Sequence, residues 1–370
     1  MHRIIPIVLL CILVISDPTG ALFIQPQESV QLYVVPFAFL ISNESDGSFP
    51  HPYSSLQQAL DHIARVRNGR TTIHLCPTYY FVDTTIRFNQ EHSHTQLTTM
   101  SCVDAAFYKK IGVQDEIYPQ LSTAVISGGV PITGWTQVSG NTYSAVVPNL
   151  TFINQLFINN QRIVRTRVPT NFSDYLYYAA PLKDSSQARY GFQYQPGQFD
   201  YKSLTDAMVV VYHSWTESHH YIDRLIPVNN TILFTNSSDA PIGTYRIQGQ
   251  QRFHIENLCE ALVPNSFCFV NETKTVYLMT NGSYDPTKIE IITSVNEIVL
   301  SIASDDATKP IEDVIIDNVA IRHGAWNLDR TQQADAASAE FLRSAALFVN
   351  NATAIIMLNV EISHTGSYGL

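Results

Sequence analysis

From Leu56 onward the apolar residues fall at Leu56, Ala59, Leu60 and Ile63. Intervals of three and four place them on one stripe of an α-helix. Ser54 or Ser55 is positioned as its N-cap, and Asn68-Gly69 as its stop. Elsewhere the period changes to two. Thr72-Ile73-His74-Leu75, Thr85-Ile86-Arg87-Phe88 and Ala124-Val125-Ile126-Ser127 alternate, as does Val209-Val210-Val211-Tyr212-His213 in part. Gln31 to Pro36 reads as a further strand, and Gly, Pro, Asn and Asp punctuate the rest. The pattern predicts an all-β body with one helix near the N-terminus.

The apolar pattern also repeats. The segment from Asp313 to Gly324 lines up with the one from Ala354 to Thr365 at an offset of 41 residues. Each copy has two apolar strand segments around an asparagine, Asn318 or Asn359, and ends in a histidine, His323 or His364. Stacked coils of a parallel β-helix need such a repeat, because each coil buries its apolar positions only against its neighbours. Coincidence between two ordinary strand pairs is the alternative. Polar, Ala/Glu-rich residues 328 to 343 read as a loop or short helix protruding from the stack.

The N-terminus bears on compartment. Met1-His2-Arg3 is followed by an apolar run from Ile4 to Ile15, then Thr19-Gly20-Ala21. That layout predicts a secretory signal peptide over 1–21. The run is about 12 residues, short of the roughly 20 a membrane-spanning helix needs. Asn-X-Ser/Thr occurs at Asn43, Asn149, Asn171, Asn229, Asn236, Asn271, Asn281 and Asn351. With 22 Asn and 60 Ser or Thr in 370 residues, chance gives roughly 3.6 such triplets. The excess predicts N-glycosylation at exposed turns. Four cysteines follow the signal: Cys76, Cys102, Cys259 and Cys268. They predict two disulfides; three connectivities remain open, and proximity favours Cys76–Cys102 and Cys259–Cys268. The net charge of −10 and the lack of Lys/Arg clusters argue against a nucleic-acid partner and disfavour an anionic membrane surface. No cysteine or histidine spacing indicates a metal site, and no cofactor is expected.

At this point several segments resemble a known family. They include Pro52 to Ala59, Ile73-His74-Leu75 with Thr78 to Phe81, and Val125-Ile126-Ser127-Gly128-Gly129 through Trp135. Gln155 to Arg162, Arg165-Thr166-Arg167-Val168-Pro169, Val211 to Trp215 and Arg252 to Asn257 complete the set. Together they resemble right-handed parallel β-helix proteins related to β-helical glycoside hydrolases and pectate lyases, of the kind carrying an inserted β domain. The resemblance implies a pectate-lyase-like, right-handed parallel β-helix interrupted by a β-sandwich or barrel-like domain. The expected organisation is signal 1–21, cap and first coils 22–134, inserted domain 135–296, and resumed coils 297–370. Acids that act on substrate in β-helical hydrolases generally come from later coils, so the chain is expected to lack them and to be weak or inactive.

The candidate chemistry is sparse. Glycosidic cleavage needs two carboxyls about 5–9.5 Å apart, and neighbouring coils lie about 4.8 Å apart. Glu361 is the one catalytic candidate, yet its counterpart one coil earlier is Ala320, and Asp317 matches Leu358. Substrate-binding candidates are His213 and Trp215 near His219-His220, and Arg322, His323, Trp326 and His364. A packed Trp at a strand end is the alternative for Trp215, and a structural ladder for His323 and His364. The expected function is a secreted carbohydrate-active protein acting on a polysaccharide or glycan. A non-catalytic glycan-binding or scaffold module is the alternative.

Overall fold

The computed structural model describes residues 29–36, 45–66, 69–101, 121–184, 186–243, 251–328, 330–332 and 344–370. The signal peptide, Asn43, Cys102 and residues 333–343 lie outside the described residues. The described chain is mostly β, with one α-helix, Leu56–Val66. Leu56, Ala59, Leu60 and Ile63 are its buried residues, as the spacing requires. Ser55 Oγ accepts the Gln58 amide at 3.3 Å, and Gln58 Oε1 accepts the Ser55 amide at 3.2 Å. This reciprocal capping satisfies two amides that the first turn leaves without helical partners.

Three sheets are wholly parallel. The first runs Val30–Val34, Thr71–Leu75, Thr95–Thr99, Ile311–Asp317, Ala352–Leu358. The second orders Tyr79–Phe81, Ala124–Ser127, Val319–Arg322, Glu361–Ser363. The third orders Ile86–Phe88, Leu300–Ala303, Leu347–Asn350. From Thr71 the chain visits the three in the same sequence on each pass. Their inward faces meet in one apolar core that includes Ile73, Leu97, Ile126, Leu300, Ile316 and Ile321.

The 41-residue repeat is geometric as well as compositional. Ile316 pairs with Met357 and Ala320 with Glu361. Asn318 and Asn359 both hold left-handed backbone, at φ 52° and 50°, as do His323 and His364 at 61° and 56°. Asparagine tolerates that region better than most residues, so the asparagine marks the corner between first and second sheets.

Between Gly129 and Ser294 the chain leaves the parallel sheets. It forms a mixed, mainly antiparallel eight-stranded sheet and a second, antiparallel one. Each has its own core, around Phe267 and Leu278 in the first and Phe192 and Phe253 in the second. Departure and return meet at one residue. Gly128 donates to Arg322 O at 2.9 Å, and its own carbonyl accepts the amides of Val295 and Asn296, each at 2.9 Å. A Cβ at Gly128 would lie 2.6 Å from Val299 Cγ2 and 2.9 Å from Asn296 O.

Cys259 and Cys268 form a disulfide with Cα atoms 5.4 Å apart. Asn265 in the intervening loop adopts φ 61°. The Cys76–Cys102 pairing is not described, because Cys102 lies outside the described residues. Asn236 departs from the glycosylation expectation. It is 1% exposed, and its amide donates to His219 O at 2.9 Å while accepting the Tyr221 amide at 3.2 Å. A buried, doubly bonded amide presents no acceptor surface for a glycan in the folded chain.

Two outcomes follow for stability. Gly128→Ala should cost about 1–3 kcal/mol, the range for overpacking a tight site, read as a lowered urea midpoint; an unchanged midpoint would show that the junction relaxes. Breaking the Cys259–Cys268 loop with Cys268→Ser should cost about 2–3 kcal/mol, and a non-reducing peptide map should recover that pair linked.

Candidate functional site

The strand Met208–Tyr212 is apolar throughout, so periodicity alone does not assign its faces. Its neighbours do. Val209 and Val211 enter the core with Phe253 and Ile255. Met208, Val210 and Tyr212 therefore point the other way. In register with them stand Tyr221, His219 and Glu217 on one side and Glu256 and His254 on the other. This second face carries Arg252, His254 and Glu256, Glu217, His219 and Tyr221, with Arg165 and Arg167 at its edge. It is a polar face that is nevertheless largely covered. Exposure of the side chain is 4% for Arg165, 5% for His254, 23% for Glu256, 23% for His219 and 48% for Glu217.

The charges on this face are held by specific partners. Glu256 accepts hydrogen bonds from both Nε (3.2 Å) and Nη2 of Arg165, and His254 Nε2 lies 3.0 Å away. Burial pushes the Glu256 carboxyl up, but Arg165 and His254 outweigh it and hold the carboxyl far below the usual range. The His219 hydrogen bond at 3.2 Å pulls Glu217 down against its own burial. Burial, with Glu217 behind it, pushes the Tyr212 hydroxyl up to about 12. Both carboxylates are thus ionised at neutral pH, and the phenol stays protonated. Nη1 of Arg165, Nδ1 of His219 and Nδ1 of His254 are buried without a hydrogen-bond partner among the described residues. Each such atom costs stability, and three together on one sheet face are unusual for a purely structural surface.

Aromatic rings line the same face. Arg252 lies over Tyr175 at 4.6 Å and Tyr212 at 5.1 Å, and Tyr175 and Tyr212 meet edge-on at 5.2 Å. Trp326 packs against His219 at 4.9 Å. Beyond Tyr221 the face opens into a cleft of about 640 Å³, lined in part by Phe152, Asp206, Asn257, Glu297, Asn327 and Arg330. Arg330 lies 4.5 Å over the Tyr221 ring and 3.7 Å from Asp206. Asp206 accepts the Asn271 amide at 2.8 Å, and Glu297 the Asn327 amide at 3.1 Å. Acidic groups from two different sheets' connections therefore enter one cleft beside two aromatic rings.

A second cluster contains most of the residues singled out from the repeat. Arg322 donates from Nε and Nη2 to the two oxygens of Glu361 at 2.9 and 2.7 Å, and Ser363 Oγ adds a bond at 2.6 Å. Burial raises Glu361, and these bonds more than reverse it, leaving the carboxyl below its ordinary value. Two guanidinium bonds and the Ser363 hydroxyl thus favour the Glu361 anion. His323 is fully buried, accepts or donates at 2.9 Å with Ser127 Oγ, and lies 5.7 Å from His364 ring to ring. Burial first, then His364 and Arg322, drives its pKa down to about 3, so it is neutral. Glu290, at the start of Ile291–Ser294, has the opposite fate. Burial raises it to about 7, and its Oε2 has no partner among the described residues. It acts on the buried Tyr79, whose pKa burial and Glu290 raise.

The remaining candidates separate. His213 Nε2 meets Ser218 Oγ at 2.7 Å, and Ser218 meets the buried His220 at 2.8 Å. That network lies on the opposite side from the polar face, since Tyr212 and His213 point opposite ways. Trp215 is 67% exposed in the turn that follows, so it does not take the packed position that was the alternative for it. Trp326 alone joins the polar face.

Sequence reading passed over Arg165, Glu217, His254, Glu256, Asp206 and Arg330. A signal for three of these residues existed: Glu217-x-His219-x-Tyr221 and Arg252-x-His254-x-Glu256 put polar or charged residues at alternate positions. It reads as an ordinary solvated face until the register stacks the two strands on either side of Met208–Tyr212.

No family model and no curated protein matches this chain. Among solved structures, a glycoside hydrolase superposes with a TM-score of 0.64 at 17% identity, over 80% of this chain and 51% of that one. The chain thus spans about half the length of that structure and has a glycoside-hydrolase-like fold. A complex of XylC with xylose aligns at a TM-score of 0.36 and 11% identity, over 88% of this chain and 40% of that one.

Replacing Glu256 by Gln removes the counter-charge of a buried guanidinium, and breaking such a pair costs about 3–5 kcal/mol. Because the folded carboxyl lies below the ordinary 4.5, its stabilisation is complete above that value and is lost as pH falls through the folded value. The variant should lose stability less steeply on acidification than the parent; equal slopes in urea unfolding would exclude the pair as the source. Glu290 has the reverse sign. Its contribution is complete below 4.5 and lost as pH rises through about 7. Glu290→Gln should flatten the fall in stability across neutral pH, measured the same way.

Proposed function

We propose that this chain is a secreted carbohydrate-active protein whose polar sheet face and adjoining cleft bind a glycan. The three parallel sheets, visited in the same order on each pass, support reading residues 22–134 and 297–370 as coils of a right-handed parallel β-helix. The two antiparallel bodies support reading 135–296 as a domain inserted into it. The N-terminal pattern and the exposed sequons at Asn149, Asn171, Asn229 and Asn281 favour passage through the secretory pathway. The reading of the site rests on one observation. Ionised carboxylates, histidines and a guanidinium share a sheet face with Tyr212, Tyr221 and Trp326, and that face runs into a cleft of ligand size. Carboxylates accept sugar hydroxyls, guanidinium and imidazole groups donate to them, and ring faces cover the sugar C–H surface.

Binding is favoured over turnover by the same electrostatics. Acid–base cleavage needs one carboxyl kept protonated opposite one kept ionised. Glu217 and Glu256 are both held ionised, and so is Glu361. Glu290 is the carboxyl raised towards neutrality, and it lies among Tyr79 and its apolar neighbours instead of in the cleft.

The test is a glycan panel of plant, algal and animal polysaccharides, read by binding and by release of reducing ends. Glu217→Gln, at the exposed rim, should weaken binding about tenfold, equal to 1.4 kcal/mol, while Glu361→Gln leaves it unchanged. Absence of binding across the panel would overturn the reading. Turnover abolished by Glu361→Gln would replace it with an enzymatic one centred on the second cluster.

A further inference from the structure

Two of the sequon asparagines, Asn149 and Asn271, line the same cleft. They differ in what their side chains do. Asn271 is half-buried; its backbone amide donates to Asp206 Oδ2 at 2.8 Å, and its side-chain Oδ1 accepts from Lys274 Nζ at 2.7 Å. Asn149 is exposed, in a turn closed by the Leu150 amide to Val147 O at 3.0 Å. Its side-chain amide makes no hydrogen bond among the described residues. An exposed turn with an uncommitted amide is where a glycosylating enzyme can reach an asparagine. A glycan rooted there starts at the mouth of the cleft, close in sequence to Phe152.

We propose that Asn149 is N-glycosylated and that the inner N-acetylglucosamine units of this glycan lie in the cleft, so that the protein carries its own resident ligand. Attachment would proceed from a lipid-pyrophosphate-linked oligosaccharide. Asn149 Nδ2 attacks C1 of the first sugar, the Nδ2–C1 bond forms, the C1–O bond to pyrophosphate breaks, and the amide proton is lost. Inside the cleft the sugars meet the Tyr221 and Phe152 rings and the polar ends of Asp206, Asn257 and Arg330. The tether makes binding intramolecular, so even weak contacts would hold the glycan in place. Free glycans would then compete for this end of the groove. The inference rests on the reading of the groove as a sugar site.

The experiment expresses the full chain in a glycosylating secretory cell and maps occupancy by peptide mass spectrometry. The native protein is then trimmed with an endoglycosidase that cuts the inner sugar pair. The glycan at Asn149 should be trimmed about tenfold more slowly than the one at Asn171, a difference of about 1.4 kcal/mol. Arg330→Ala, at a partly exposed rim side chain, should bring the two rates together. An unoccupied Asn149, or equal trimming of both glycans in the native protein, would overturn the proposal. Free-glycan binding is measured separately on Asn149→Gln, where the groove should bind more tightly than in the parent. Failure of the sugar-site reading therefore appears as no binding by that variant, whereas failure of this inference appears in the trimming rates.

Discussion

One carbonyl oxygen, that of Gly128, accepts the amides of both Val295 and Asn296, and the architecture depends on that closure. The residues between form two sheets with their own cores, yet they must leave and rejoin a stack whose strands are in strict register. Val125 pairs with Ala320 and Ile126 with Ile321 just before the departure, and Leu300 pairs with Ile86 just after the return. A slip of one residue at the junction would turn every side chain of the following strand to the other face. Only a residue without a Cβ fits between Val299 and the Asn296 carbonyl. The junction thus keeps the excursion from disturbing the parallel sheets, and it holds the excursion against the outer face of the second of them, where Phe157 and Ile292 pack with Tyr79, Val125 and Ala320.

That docking explains why charged groups accumulate at the boundary. Side chains on the outer face of an edge-packed parallel sheet normally meet water. Here an additional body covers part of that face, and polar residues at the margin are desolvated without being removed. They respond in two ways. Where a counter-charge is within reach, as for Glu361 with Arg322 and Glu256 with Arg165, the ion is retained. Where none is, as for Glu290, the carboxyl drifts towards its neutral form. His323 follows the same rule from the basic side: buried near Arg322 and His364, it gives up its proton.

The paired repeat segments were legible in the sequence because each needs the same local conformations. A left-handed corner needs a tolerant residue, so Asn318 recurs as Asn359 and the histidine corner as His323 and His364. Period-two strands and the helix stripe at Leu56, Ala59, Leu60 and Ile63 could be read for the same reason: each is a local pattern with a local cause. The polar sheet face was not legible. Its members lie far apart, at Arg165, Glu217, His254 and Glu256, and only antiparallel register around an all-apolar strand assembles them. His213 and Trp215, close in sequence, separate for the complementary reason. Alternation sends neighbouring side chains of a strand to opposite faces, and the turn leaves Trp215 67% exposed.

The same reasoning separates the two clusters by what they can do. In the Arg322–Glu361 cluster the anion is fully used: both carboxylate oxygens take guanidinium donors, and Ser363 takes a third bond. A ligand arriving there must compete with a bidentate pair, the strongest side-chain arrangement available to a carboxylate. Glu256 on the polar face is as fully paired, but at the rim of that face and in the adjoining cleft the pairings are looser. Glu217 is half-exposed and holds a single bond to His219, and Arg330 reaches Asp206 only at 3.7 Å. Groups that are desolvated enough to interact strongly, yet not spent on one another, are those from which a polyhydroxy ligand gains most. The repeat therefore directs attention to the Arg322–Glu361 cluster of the parallel sheets, while half-exposed Glu217 lies on the antiparallel sheet that the repeat does not reach.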